Sequence, residues 1–387
     1  MVLELAKKHH PYMVDLRRYL HMHPEVSMKE FETSKRIRKE LDDIGLSYRV
    51  VNDTGIMAEL KGAHPGKTLA LRADMDALSV QELSNCSYKS QNAGVMHACG
   101  HDGHVASLLG AARILAEMRE QLHGTVRFFF ESGEELGGTI DAMEQAGWLE
   151  GLDHCFGIHI WADIPVGQIS MESGARMAGT DLFTLKITGR GAHASTPDQG
   201  IDAAVAAASI IMNLQTIVSR ELSPQDIGVV TIGKLTAGQR FNSIADEAIL
   251  EGNLRSFSPR VRAAYPDIIN RIAENTARAF RAKSEMIYYL LGTPPMIITQ
   301  EESDFMKSVA AKLYGKECLS ALPPIMAGED FATFIEKVGG GFAFVGGGFR
   351  DRENAPHHNG NFDIDENSLQ IAASVHAQYA LDYLSGK

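Results

Sequence analysis

Val126-Arg127-Phe128-Phe129-Phe130-Glu131-Ser132-Gly133-Glu134-Glu135 is an apolar run that breaks into adjacent carboxylates. The run reads as a buried strand. Carboxylates just past its end lie at the carboxyl edge of a sheet, where open α/β folds bind ligands. Neighbouring glutamates repel each other unless cations share the site. Beside a cation they divide the work, one ligating and the other moving a proton. A solvated acidic turn is the plainer alternative for such a pair.

Working outward, residues 11–46 read as helices, 68–71 as a short buried strand, 105–118 as a helix after Gly103, and 155–161 as another strand. That alternation predicts an α/β fold, a central mixed sheet flanked by helices. Near Asp181 the pattern changes. Strands at 182–188, 227–235, 244–257 and 285–291, with helices at 201–219 and 261–282, follow the order β-α-β-β-α-β of a ferredoxin-like layer. The expected organisation is a catalytic domain of residues 1–180 and 292–387 interrupted by a second domain of residues 181–291. A chain of 387 residues exceeds what one core usually serves, so two domains are consistent with length. After the second domain the pattern resumes, with the apolar run 342–345 and a final amphipathic helix at 366–384.

The formal net charge is −12 with both signs interspersed, which argues against a nucleic-acid partner or an anionic membrane surface and for small molecules. Met1 leads into a charged amphipathic stretch unlike a signal peptide, and no apolar run reaches the length of a membrane span. Four cysteines in so long a chain do not make a disulfide framework. The expectation is a cytoplasmic protein in a reducing compartment.

The densest set of potential ligands is His97-Ala98-Cys99-Gly100-His101-Asp102-Gly103-His104, a glycine-punctuated loop opening a helix. A cysteine among histidines supplies the sulfur and nitrogen donors that Zn²⁺-like metals prefer, although it can also be a small buried hydrophobe in a polar loop. His159 ends the apolar stretch Phe156-Gly157-Ile158-His159, and His357-His358 sit in a proline-led loop. A lone core histidine and a solvated loop are the bland readings of these two. Several segments offering ligand-type residues together make one assembled site the better reading, with donors enough for two divalent ions about 3.5–4 Å apart.

Ordered landmarks across the chain carry a resemblance. They are Arg17-Arg18-Tyr19-Leu20-His21-Met22-His23-Pro24-Glu25, Leu71-Arg72-Ala73-Asp74-Met75-Asp76-Ala77-Leu78, Met96 through His104, Glu134-Glu135, Gly157-Ile158-His159, Gly189-Arg190-Gly191-Ala192-His193, Phe241-Asn242-Ser243-Ile244, Gly328-Glu329-Asp330-Phe331 and His357-His358-Asn359. The sequence resembles the M20 family of metallopeptidases, in the amidohydrolase branch that holds hippurate hydrolases, N-acyl-amino-acid deacylases and auxin-conjugate hydrolases.

The resemblance implies that Cys99, His101, Glu135, His159 and His358 bind two metal ions, with Zn²⁺, Mn²⁺, Co²⁺ or Ni²⁺ all chemically suitable. Glu134 becomes the general base and then the acid that protonates the leaving amine. Asp74 becomes the carboxylate that orients the ligands. His21 and His23 are read as structural. The inserted domain resembles a lid and dimerisation domain whose His193 reaches a partner subunit's site to stabilise the oxyanion, with Asn242 and Arg255 holding the substrate. The implied reaction is hydrolysis of an N-acyl amino acid by a homodimer or dimer-based oligomer.

The chain departs from the usual family pattern at Glu131-Ser132-Gly133 and at Ser79 and Ala245, none of which removes a ligand or the base. Three rivals remain at this level. A dipeptidase or carboxypeptidase uses the same metals on another amide, a cysteine hydrolase uses Cys99 as nucleophile, and a binding protein shares the fold without turnover.

Overall fold

The computed structural model describes residues 1–137 and 140–386. The chain forms two compact units. The first comprises Met1–Gly174, Ile297–Pro323 and Thr333–Lys387, and the second Ala175–Met296 with Pro324–Ala332.

A seven-stranded sheet organises the first unit. From edge to edge its strands are Ser47–Val51, Gly55–Lys61, His123–Glu131, His64–Asp74, His154–Pro165, Gly340–Gly348 and Ile169–Ser170. The middle four run parallel, and antiparallel strands close both edges, so the sheet is mixed. Central parallel strands are buried on both faces and therefore read as continuous apolar runs. This is why Phe128, Phe129 and Phe130 are all fully buried rather than alternating with exposed residues. The strands extend further than local pattern suggested. His64–Asp74 contains the expected 68–71 and His154–Pro165 the expected 155–161, because ladder hydrogen bonds recruit flanking polar residues that carry no apolar signal.

Helices Val2–Met22, His101–Glu117 and Asn367–Leu384 pack on one another, and the last two also pack on the sheet. Gly110 allows the close approach, since a Cβ there would fall 2.3 Å from Met13 Sδ. The His101–Glu117 helix starts earlier than the expected 105, so His101 and His104 occupy its first turn rather than a preceding loop. Gly100, at φ +95°, makes the left-handed bend that starts it.

The second unit is a four-stranded antiparallel sheet ordered Lys283–Leu291, Gly179–Thr188, Glu247–Ser256, Gly228–Ala237, with helices Ala203–Leu214 and Pro259–Ala279. Asp202 caps the first helix through Ala204 N–H and Val205 N–H. Ser258 caps the second, which has Pro259 at its first position. The expected 201–219 helix ends at Leu214 and continues only as the π-helical turn Ile217–Glu221.

Ala203–Glu221 is nonetheless long and apolar enough, by length and mean composition, to cross a membrane, although polar residues interrupt its apolar run. Its Ala203, Ala206, Ala207, Ile210, Leu214 and Ile217 instead join the unit's core with Phe183, Leu185 and Leu250. A buried pair anchors this unit as well. Arg262 Nε donates to both Asp181 oxygens at 2.9 Å, and Tyr289 Oη and Gly292 N–H donate to the same carboxylate at 3.0 Å.

Candidate metal centre

Parallel pairing sets Asp74 opposite Glu131, so two strand ends deliver Asp74 and the Glu134-Glu135 turn to one edge. His159 enters from the next strand, Cys99, His101 and His104 from the start of the buried helix, and His357 and His358 from the loop after Gly340–Gly348.

The ligand atoms of Cys99, Glu135 and His358 lie within 4.8 Å of one another. So do those of Cys99, His159 and His357, those of His101, Glu134 and Glu135, and those of Asp74, His101 and His104. Because Cys99, Glu135 and His101 each belong to two of these groups, the donors form one connected set.

The spacings fit a shared cation. Metal–sulfur and metal–nitrogen bonds of about 2.3 and 2.0–2.1 Å meeting at a tetrahedral angle place sulfur about 3.5 Å from nitrogen, and nitrogen about 3.3–3.5 Å from a carboxylate oxygen. Cys99 Sγ is 3.5 Å from His159 Nε2, and His358 Nε2 is 3.3 Å from Glu135 Oε1. His101 Nε2 and Glu135 Oε1, 3.9 Å apart, are buried without a hydrogen-bond partner among the described residues. Buried polar atoms are normally satisfied, and a cation between these two would satisfy both.

Hydrogen bonds decide which nitrogens can ligate. His159 Nδ1 donates to Ile160 O at 2.9 Å and His101 Nδ1 to Asp76 O at 3.0 Å, so each Nε2 keeps its lone pair for the site. His357 is the reverse case. Its Nε2 accepts from Ala162 N–H at 3.1 Å, which leaves Nδ1–H facing Cys99 Sγ at 3.8 Å as a donor to sulfur.

His104 is likewise spent. Nδ1 donates to Asp74 Oδ1 at 2.6 Å and Nε2 accepts from Ile160 N–H at 2.8 Å, so its place among the close donors reflects bracing rather than ligation. Asp74 also accepts from Arg72 Nη1 at 2.8 Å, and Arg72 Nε reaches Glu131 at 2.6 Å. The unusual Glu131 thus completes a buried Asp74–Arg72–Glu131 chain.

Electrostatics follow from this packing. Burial pushes the Cys99 thiol up, and the nearby His101 does not offset it. A reactive nucleophilic cysteine needs a depressed pKa, so the protein's own groups do not make Cys99 a thiolate. Burial alone would lower His101, but the charge of Asp74 holds it well above the ordinary histidine value, so a cation taking the Nε2 lone pair displaces a proton from it. Burial and neighbouring imidazoles hold His159 well below that value, as a neutral donor.

Two carboxylates missed by the sequence reading hold the glutamate turn. Asp76 accepts from Ser27 Oγ at 2.6 Å and Glu135 N–H at 3.1 Å. Buried Glu30 accepts from Gly133 N–H at 2.9 Å and Thr54 Oγ1 at 3.0 Å. Two carboxylates spaced i, i+2 at a strand end, Asp74 and Asp76, were the available signal for the first. Glu30 gave none. His358 itself sits at φ 65°, a left-handed conformation that costs a non-glycine residue energy, held by its N–H donating to Ala98 O at 2.8 Å.

The remaining expected residues lie in the second unit. His193 and Asn242 are neighbours there, with Ala194 N–H donating to Asn242 O at 3.1 Å. His193 is exposed, and its Nδ1 accepts from Ser195 N–H at 3.1 Å, which leaves Nε2–H as an outward donor. Arg255 is half-buried and donates through Nη1 to Met326 O at 3.0 Å and through Nε to Asn253 Oδ1 at 3.2 Å. Met326 belongs to the 324–332 segment that completes this unit, a return that no change in local pattern announces.

The family model described as peptidase family M20/M25/M40 matches residues 70–382. The chain belongs to that family. Among its relatives, N-acetylcysteine deacetylase of Bacillus subtilis is 38% identical over 97% of both chains. IAA-amino acid hydrolase ILR1-like 2 of Arabidopsis thaliana is 40% identical, covering all of this chain and 89% of its own. Among solved structures, the Bacillus subtilis YXEP protein, described as a dinuclear metal binding peptidase from the M20 family, superposes with a TM-score of 0.86 at 35% identity, covering 98% and 99% of the two chains. In this M20 chain the connected donors lie inside the matched region, and so do His193, Asn242 and Arg255.

Proposed function

We propose that the protein is a two-metal amidohydrolase that cleaves N-acyl amino acids to a carboxylic acid and a free amino acid. The observation that carries this reading is the convergence of Cys99, His101, Glu135, His159 and His358 into one donor set beside Glu134. N-acetylcysteine deacetylase and IAA-amino acid hydrolase, the relatives named above, support the substrate class.

Cys99, His101, Glu135, His159 and His358 would hold the ions. Bound there, divalent cations supply Lewis-acid polarisation of an amide carbonyl and lower the pKa of water toward about 7. Glu134 takes the proton from the attacking water as the C–O bond forms, then gives it to the leaving nitrogen as the C–N bond breaks. Asp74 and His104 keep the ligands in register. His193, presented through Nε2–H, stabilises the developing oxyanion in a partner subunit's site, and the second unit serves as lid and dimerisation domain of ferredoxin-like topology. Asn242 and Arg255 hold the substrate, the Arg255 guanidinium by pairing with the substrate's carboxylate.

The test is turnover of acetyl, benzoyl and longer-chain acyl amino acids, beside dipeptides with a free amino group, by chelator-stripped protein before and after Zn²⁺, Mn²⁺, Co²⁺ or Ni²⁺ is restored. Metal-restored activity on the acyl substrates is the expected result. Undiminished activity in the stripped protein overturns the mechanism, and turnover of dipeptides alone transfers the chain to the dipeptidase reading.

A further inference from the structure

A second group of donors lies apart from the catalytic set. His21 Nε2, a Glu82 oxygen and Cys86 Sγ all fall within 4.8 Å of one another. His21 ends the Val2–Met22 helix, whereas Glu82 and Cys86 sit in the irregular stretch after the His64–Asp74 strand.

The spacing is that of a metal site. His21 Nε2 is 3.4 Å from Glu82 Oε1, and Cys86 Sγ is 3.6 Å from the same oxygen. Tetrahedral Zn²⁺ bonds to nitrogen, oxygen and sulfur imply edges of about 3.3–3.5 Å for nitrogen to oxygen and about 3.5–3.7 Å for sulfur to oxygen. Both observed distances fall inside those ranges, and both contacts are hydrogen bonds into Glu82 Oε1 that a bound cation would replace.

The surroundings are built to present these atoms. His21 Nδ1 donates to Asp102 Oδ2 at 2.7 Å, the carboxylate–imidazole arrangement that turns Nε2 toward a metal. Ser90 N–H donates to Glu82 Oε2 at 2.6 Å, and Ser84 Oγ donates to Oε1, the oxygen that His21 Nε2 and Cys86 Sγ also face, so the carboxylate is fixed from both sides. Arg17, whose Nη2 lies 3.5 Å from His21 Nδ1, is already paired with Asp102, Asp363 and Glu366. Cys86 is partly exposed and lines a cavity of about 490 Å³ with Tyr88, Phe349 and Arg352, which opens the cysteine side of the group to solvent.

We propose that His21, Glu82 and Cys86 form a further divalent-metal site of the Zn²⁺ class, which ties the amino-terminal helix to the 82–90 segment. Binding displaces the His21 imidazolium proton and the Cys86 thiol proton. One dication enters, two protons leave, and the net charge beside Arg17 is unchanged.

The experiment compares full-length wild type with Cys86→Ala, each stripped, reloaded with excess Zn²⁺, gel-filtered and assayed for metal by mass spectrometry. Ions held elsewhere cancel in the difference, so the result is independent of the catalytic reading. The expected outcome is one ion fewer per chain in Cys86→Ala, with kcat unchanged. In wild type, Zn²⁺ should also slow iodoacetamide labelling of the Cys86 peptide by about tenfold or more. That second readout stands even if the variant fails to fold. Equal ion counts in the two folded proteins, or Cys86 labelling at the same rate with and without Zn²⁺, would overturn the site.

Discussion

His358 Nε2 lies 3.3 Å from Glu135 Oε1, although the two residues come from opposite halves of the chain. Among the described residues Glu135 Oε1 has no hydrogen-bond donor, and a cation in the space between it and His358 Nε2 would satisfy both atoms. The predictions below follow from that relationship and from the packing around it.

Cys99→Ser should lose metal and activity together, because a hydroxyl replaces a thiolate poorly. Metal content after gel filtration checks this, and full occupancy in a folded Cys99→Ser protein counts against ligation by Cys99.

Glu134→Gln should retain metal and fold while turnover falls by about 10²–10⁴-fold, the usual worth of a general base. His193→Ala should also keep its metal while kcat drops. Mixed dimers of these two variants should regain part of the wild-type rate if the histidine acts across subunits. Verified heterodimers without recovery would place the complete site in one chain.

His104→Phe removes the brace between Asp74 and Ile160 but no ligand atom. Metal affinity should fall by about 10–100-fold, the range seen for groups that orient ligands, and excess metal should restore much of the rate. A competition titration against a chromogenic chelator measures it, and unchanged affinity would reduce His104 to core packing.

Asp102 is buried between Arg17 and His21, and those positive partners hold its carboxyl well below the usual carboxylate range against the opposing effect of burial. A depressed folded pKa stabilises the protein fully above the unfolded value of about 3.9, and the contribution is lost as pH falls through the folded value. The stability gap between wild type and Asp102→Asn, read by urea unfolding, should therefore shrink below about pH 4, separately from the change at higher pH where His21, raised against burial by Asp102, gives up its proton. A gap independent of pH through that window contradicts the pairing.

Arg262→Met leaves Asp181 charged and buried in the second unit, where Tyr289 Oη and Gly292 N–H remain as its donors. Breaking a buried pair by removing one partner costs about 3–5 kcal/mol. Calorimetry should show the loss as a lowered Tm, and a Tm equal to wild type would mean that the pair contributes little.

Much of this was legible locally. Phe128, Phe129 and Phe130 announce a buried central strand because parallel strands hide both faces, and the cysteine and histidines of residues 97–104 announce donors because few other residue types ligate soft metals. The choice between His357 and His358 was not legible from the residues alone. Adjacent histidines are chemically identical until Ala162 N–H takes one ring nitrogen of the first. The bracing by Glu30 and Asp76 was hidden for the same reason, since a buried carboxylate looks like any other until its donors are known.

The amino-acid sequence by itself determined the set of side chains available for the chemistry and the alternation of strands and helices that carries them, because residue type and periodicity are local properties. Only the tertiary structure decided which nitrogen of each imidazole faces the site, why Glu135 Oε1 and His101 Nε2 are left for a cation, and that His21, Glu82 and Cys86 meet at all. Those outcomes depend on hydrogen bonds between segments far apart in the chain, and no short-range pattern encodes which backbone group a buried ring will find.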